Sequence, residues 1–278
     1  MYFDFYSETG KTFNEDIAYI NNDIAFVLDA STGLLDEKIT SFDSDGQWFV
    51  SRWNDYLKKE LRNFDKSIKD IVYDGIIKIR DEFYDIAGKV INDKLERPSA
   101  SLAIIRILEN DNIEYFMLGD CTLLYSKDNK DFIVKDRAVE KLDAVAIKEV
   151  IRLREEYGYS FTEARKEVTK LLMSNRMLKN QNDGYFVLEF EEEAINHSIE
   201  GVLEKIENIA IMSDGYSAIF DTYNYCNEGE FLDLLSENGA KYLYDIIRKI
   251  ENEDFDMIQY PRLKKGDDST VAFYHFMK

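Results

Sequence analysis

The chain has 278 residues, 45% of them apolar and 14% aromatic, which suits a sizeable core and excludes an intrinsically disordered protein. Fifty-five acids against 35 bases leave a net charge of −20, a field that repels nucleic acid and anionic membrane surfaces, so neither is expected as a partner. No apolar run reaches the roughly 20 residues of a membrane span, the opening MYFDFYSETG carries no signal-peptide pattern, and two cysteines supply no disulfide framework. A cytoplasmic location and a single domain over residues 1–278 are therefore expected.

The N-terminal part reads as strands: YFDFYSE, then EDIAYI and DIAFVLD about the hairpin signal NND. After Asp45 the period changes, and Phe49, Trp53, Tyr56, Leu57, Leu61 and Phe64 lie at helical spacing. A second helix is expected through Ile68, Ile71, Val72, Ile79, Phe83, Ile86 and Val90, ending near ERPS before Pro98. SLAIIRIL, IEYFML, TLLYS and DFIVKD then read as an antiparallel meander with tight turns at ENDN, GDC and KDNK. A helical insert is expected from about 138 to 178, with Ser160 and Glu163 as a capping box. GYFVLEF reads as a short strand, FEEEAI as a solvated face or first helical turn, NIAIMSD as a buried strand, 215–252 as helices, and DSTVAFYHF as a closing strand. Helices segregated from antiparallel strands make the class α+β, with helices outside layered sheets.

Five acids share one setting, an apolar strand meeting a turn: Asp16, Asp29, Asp120, Asp214 and Asp267. Each alone reads more readily as a turn or strand cap than as a ligand. Together they could converge at one end of a sheet, where buried carboxylates need a cation, and oxygen donors with few histidines favour Mg²⁺ or Mn²⁺. Asp43 and Asp45 in SFDSDGQ read instead as a helix start. His197 and His275 are isolated and show no zinc spacing. A cysteine phosphatase would need Arg six residues after its Cys, where Lys127 and Leu232 stand.

The ordered series NED, LDASTG, LGDCTLL, MSDG and GDDSTV resembles that of the metal-dependent serine/threonine phosphatases of type 2C, the PPM family, over essentially the whole chain. That family carries Asn-Glu-Asp, Asp-Gly-His-Gly-Gly, Gly-Asp-Ser, Ser-Asp-Gly and Asp-Asn-x-Thr. The resemblance implies an αββα sandwich of two antiparallel sheets flanked by helices, with a binuclear metal site at one edge. It implies two Mn²⁺ or Mg²⁺ ions and a weaker third. The substrate would be phosphoserine or phosphothreonine in a protein, attacked in line by a hydroxide bridging the metals. Asp16, Asp29, Asp214 and Asp267 would form the catalytic set, with Asp29 bridging, the Ala30 carbonyl replacing a glycine carbonyl, and Asp214 and Asp267 holding one metal from the other side. Asp120 would serve the third metal, and Lys11, where the family has arginine, the phosphate.

The match departs at four places. DASTG lacks the motif histidine, so no protein general acid is implied. Lys11 is a point charge and not a bidentate fork. Asp268 replaces asparagine and adds negative charge. Cys121 replaces serine and reads as a small buried residue. Two other readings stay open: a phosphatase-fold binding module with little or no turnover, and a phosphatase of small metabolites.

Overall fold

The computed structural model describes residues 1–31, 33–35, 37–109 and 111–276; Thr32 of DASTG and Asn110 of ENDN lie outside the described residues. Its strands are β1 (Tyr2–Glu8), β2 (Asp16–Ile20), β3 (Ile24–Ala30), β4 (Ala100–Ile107), β5 (Ile113–Leu118), β6 (Thr122–Lys127), β7 (Lys130–Lys135), β8 (Ile199–Leu203), β9 (Asn208–Met212) and β10 (Ser269–His275). Its helices are α1 (Asp45–Glu60), α2 (Ile68–Ala87), α3 (Ala138–Tyr157), α4 (Phe161–Glu167), α5 (Thr169–Met177), α6 (Asp214–Asp221), α7 (Glu228–Asn238) and α8 (Ala240–Glu253), with a 3₁₀ turn at Glu192–His197.

The strands form two antiparallel five-stranded sheets, ordered β1-β10-β9-β6-β7 and β2-β3-β4-β5-β8. Alternate side chains explain how they stack. In β3, Ile24, Phe26 and Leu28 face Trp48, Trp53 and Phe83 of α1 and α2, while Ala25 and Val27 face the other sheet through Leu123, Ile211 and Ala272. A strand buried on both faces needs the unbroken apolar run IAFVL rather than alternation. On the far side, Ala210, Met212, Val271 and Phe273 pack against α6, α7 and α8. The result is helix layer, sheet, sheet, helix layer, as the resemblance implied.

Four expectations are corrected. First, α1 and α2 are shorter than their apolar stripes. Phe64 lies beyond α1 under the Arg106 guanidinium. Gly88, in the left-handed region at φ 66°, closes α2 well before Pro98 and leaves Val90 exposed. Second, the meander breaks at Gly119: β4 and β5 pair in one sheet, β6 and β7 in the other. Third, GYFVLEF forms no strand, only single bridges of Tyr185 to Lys179 and of Leu188 to Ala100. Fourth, IEGVL, unmarked in sequence because it is a half-exposed edge, is β8.

The insert is three helices, α3 to α5, and its Ser160–Glu163 capping box is formed. Its own small core (Ala146, Val150, Ala164, Val168) is joined by Leu34 and Leu263 from outside it.

Gly119 makes the sheet switch possible. Its φ is +96°, and a Cβ there would stand 2.3 Å from Ser101 Oγ and 2.9 Å from Ser101 Cα. Gly119→Ala is expected to destabilise the protein by about 2–4 kcal/mol in urea unfolding. A change under 0.5 kcal/mol would show that the turn can relax around a side chain.

Candidate metal centre

Asp16 opens β2 and Asp29 lies near the end of β3, and their Cα atoms are register partners across the hairpin. Asp16 is only 4% exposed, and its Oδ2 is buried with no hydrogen-bond partner. Its amide donates to Asn14 Oδ1 (2.9 Å), and the Ala30 amide donates to the Glu15 carbonyl (3.2 Å), which pins the hairpin mouth.

Asp214 arrives from the other sheet, in the first turn of α6 directly after β9. Ser213 caps nothing with its side chain; its Oγ accepts from the Thr270 amide (3.0 Å), tying β9 to β10. Gly215 follows because α6 presses onto the next loop: a Cβ there would meet the Asp268 carbonyl oxygen at 2.1 Å and Asp267 Cβ at 3.0 Å. That contact brings the SDG and GDD segments together. The Asp214 amide in turn points at Asp29 Oδ2, 3.4 Å away. Asp120 sits on the turn where the chain changes sheets, its amide donating to Ser101 Oγ (3.1 Å) and its Oδ1 accepting from the same hydroxyl.

The acids feel one another. Burial, then Asp268 and Asp267, raise the Asp16 carboxyl well above the usual range, with the Ser213 hydroxyl opposing weakly. Burial, then Asp16, Asp214 and Asp120, do the same to Asp29. Asp214, although its side chain is open on one side, is pushed up to about 7 by loss of water and by Asp267 and Asp120. Asp267 differs: burial raises it, but Lys264 and Lys11 outweigh burial and hold it below the usual value. All five predicted acids thus meet at one end of the stacked sheets.

Lys11 is more engaged than its sequence position suggests. Its ammonium contacts Glu15 (2.8 Å), Asp268 (3.0 Å) and Asp267 (4.0 Å). Asp268, 2% exposed, also accepts from the Thr9 hydroxyl and the Glu15 amide, both at 2.8 Å. The extra acid in GDD is therefore the anchor of the loop before β2. Asp268→Ala should cost about 2 kcal/mol, since it removes the acceptor of the Glu15 amide, while Lys11 keeps Glu15. Retention of full stability in thermal melts would show that water replaces the carboxylate.

Two residues at the centre carry no local sequence signal. Lys264 Nζ lies 2.6 Å from Asp267 Oδ2, and Asp267, Asp214 and Asp29 raise its pKa against the opposing effect of burial. Asp143, on α3, is lifted to about 6 by burial and then by Asp120, against Lys264, Arg176 and Arg165. His275 bonds Asn208 instead (2.7 Å), and Cys121 is fully buried with its thiol pushed up by that burial.

Among the described residues no three acids, histidines or cysteines already close on one point as a finished cage. The chemistry nevertheless fits a hard cation: the donors are carboxylate oxygens, they repel one another, and the buried Asp16 Oδ2 has no other partner.

No protein-family model and no curated protein matches the chain. Its structure does match solved ones. The serine/threonine phosphatase PstP/Ppp of Mycobacterium tuberculosis superposes with a TM-score of 0.62 at 14% identity, over 100% of this chain and 99% of that one. The fold is that of the PPM phosphatases. A PPM Ser-Thr phosphatase of Mycobacterium smegmatis, MsPP, solved with cacodylate, gives 0.55 at 13%, over 100% and 99%. PppA of Pseudomonas aeruginosa, a regulatory component of its T6SS, gives 0.59 at 14%, over 99% and 97%.

Proposed function

We propose that the chain is a divalent-metal-dependent hydrolase of phosphoserine and phosphothreonine esters in proteins. The observation that carries this reading is the meeting of five strand-end acids at one edge of a PPM-type sandwich, with Asp16 Oδ2 left without a partner. Asp16, Asp29, Asp214 and Asp267 would hold Mn²⁺ or Mg²⁺, Asp29 from the middle of the cluster and the Ala30 carbonyl beside it. Bound there, the cations would neutralise phosphoryl oxygens and make a water acidic enough to serve as nucleophile near neutral pH. Asp120, with Asp143 near it, would suit a further ion.

The protein's part is positioning. The Ser213–Thr270 and Gly215–Asp268 contacts fix Asp214 and Asp267 relative to each other before substrate arrives. Lys11 adds positive charge at the mouth, although Glu15 and Asp268 share it. Nothing in DASTG replaces the missing histidine, so the leaving alkoxide would take its proton from water. No described helix is long and apolar enough to cross a membrane.

The test is hydrolysis of p-nitrophenyl phosphate and a phosphothreonine peptide by the full chain, with Mn²⁺, Mg²⁺ or EDTA. Mn²⁺-dependent turnover of the peptide is expected. Turnover of small phosphorylated metabolites alone would change the substrate class. Metal binding without any turnover would leave a phosphatase-fold binding module.

A further inference from the structure

The centre is not uniform in charge. On one flank Asp267 is already compensated: Lys264 Nζ is 2.6 Å from its Oδ2 and Lys11 Nζ is 4.0 Å from its Oδ1. On the other flank Asp16 Oδ2 is buried without a hydrogen-bond partner, and Asp29 Oδ2 accepts a long contact, 3.4 Å, from the Asp214 amide.

Lys264 is 43% exposed, and an ion pair between two free surface side chains would count for little. Its backbone, however, is held on both sides. The loop after α8 is knotted on Asp254, whose carboxylate accepts from the amides of Ile258, Gln259 and Tyr260 and from the Arg262 guanidinium. Arg262 donates onward to the Lys265 carbonyl at 3.0 Å. The Leu263 carbonyl accepts from Arg165 Nε of α4 (3.3 Å), and the Leu263 side chain enters the core of the insert. Lys264 thus reaches the acids from a fixed base, between a knotted loop and the docked insert.

We infer that Lys264 is a built-in cation that occupies the Asp267 side of the centre and competes there with a divalent ion, so that the two halves take metal unequally, the Asp16–Asp29 half first. The inference rests on the metal-centre reading above. It departs from two equivalent ions, because a metal at Asp267 must first displace a lysine already delivered to that carboxylate. Among the described residues no lysine or arginine stands against Asp16 in the same way.

The experiment is Mn²⁺ titration of the full, EDTA-stripped chain by calorimetry, with free Mn²⁺ followed by electron paramagnetic resonance. The set is wild type, Lys264→Met, Lys264→Arg, Lys265→Met and Asp16→Asn. Lys265 lies over the Phe255 ring one residue away and controls for bulk charge. Wild type should show one stronger and one weaker step. Lys264→Met should tighten the weaker step about tenfold and leave the stronger one within about twofold, while Lys264→Arg behaves as wild type. Lys265→Met should change neither step by more than about twofold, and Asp16→Asn should remove the stronger. Equal tightening by Lys264→Met and Lys265→Met, or none by Lys264→Met while wild type binds Mn²⁺, would overturn the inference and leave the proposed function standing. Mn²⁺ bound only after Lys264→Met would also overturn it, since the Asp16–Asp29 half should already bind in wild type. No binding by either protein would overturn both.

Discussion

Asp214→Asn is expected to lower metal-dependent turnover by about 10³-fold or more, equivalent to roughly 4 kcal/mol of transition-state stabilisation. The amide keeps the size of the side chain and its place in the first turn of α6, but removes the charge a divalent ion needs. If Asp214 were only a first-turn helix residue, the substitution would cost a little helix stability and leave activity nearly intact. The mutant must also fold. In EDTA it should melt at the wild-type temperature or a few degrees above it, because one of several mutually repelling carboxylates is gone. Turnover above a tenth of wild type, measured with Mn²⁺ and p-nitrophenyl phosphate, would leave Asp214 as a first-turn helix residue only. Activity lost together with stability would leave the assignment to Asp29→Asn, for which the same pairing of lost turnover and unchanged or raised melting temperature is expected.

The same repulsion should write itself into the pH dependence of stability. Asp16, Asp29 and Asp214 all have folded pKa values above those of an unfolded chain, Asp214 at about 7. Such groups bind protons more tightly when folded, so the folded state gains from their protonation and loses as they ionise. In EDTA the unfolding free energy should therefore fall as pH rises from 5 to 8, the window between an ordinary carboxylate and the raised values. A loss of about 2 kcal/mol is expected once the open side of Asp214 is discounted for screening, or about 4–8 °C in melting temperature at this chain length. Mn²⁺ should remove most of that slope by compensating the ionised acids, and its stabilisation should therefore be larger at pH 8 than at pH 5. Below pH 5 the sign reverses for Asp254, whose amide bonds and Arg262 outweigh burial and lower its pKa, so its contribution fades as it protonates. A flat profile between pH 5 and 8 in EDTA, with no response to Mn²⁺, would mean that the acids are too well solvated to repel, and the metal reading would lose its electrostatic basis.

Much of this centre is legible in the chain itself, for a local reason. A strand buried on both faces must be an unbroken apolar run, and where it leaves the sheet the next residue must turn. IAFVLD, YFMLGD and NIAIMSD each announce a strand end with a carboxylate on it, and the order of those ends carries the resemblance to the PPM series. The helix start at Ser44 and the capping box at Ser160 are equally local, and both are formed. Tertiary structure decided what no local pattern encodes. β4 to β7 are apolar enough to pair with one another in sequence order, and only the left-handed turn at Gly119, lying against Ser101, sends β6 to the other sheet and brings Asp120 with it. Asp143 is one acid on a mixed-charge helix and Lys264 one lysine in a charged loop. They matter because the insert and the Asp254 knot fold back over the sheet ends. The chain by itself determined which residues end strands. Their convergence, and the lysines that meet them there, depend on contacts between residues far apart in sequence, which packing alone selects.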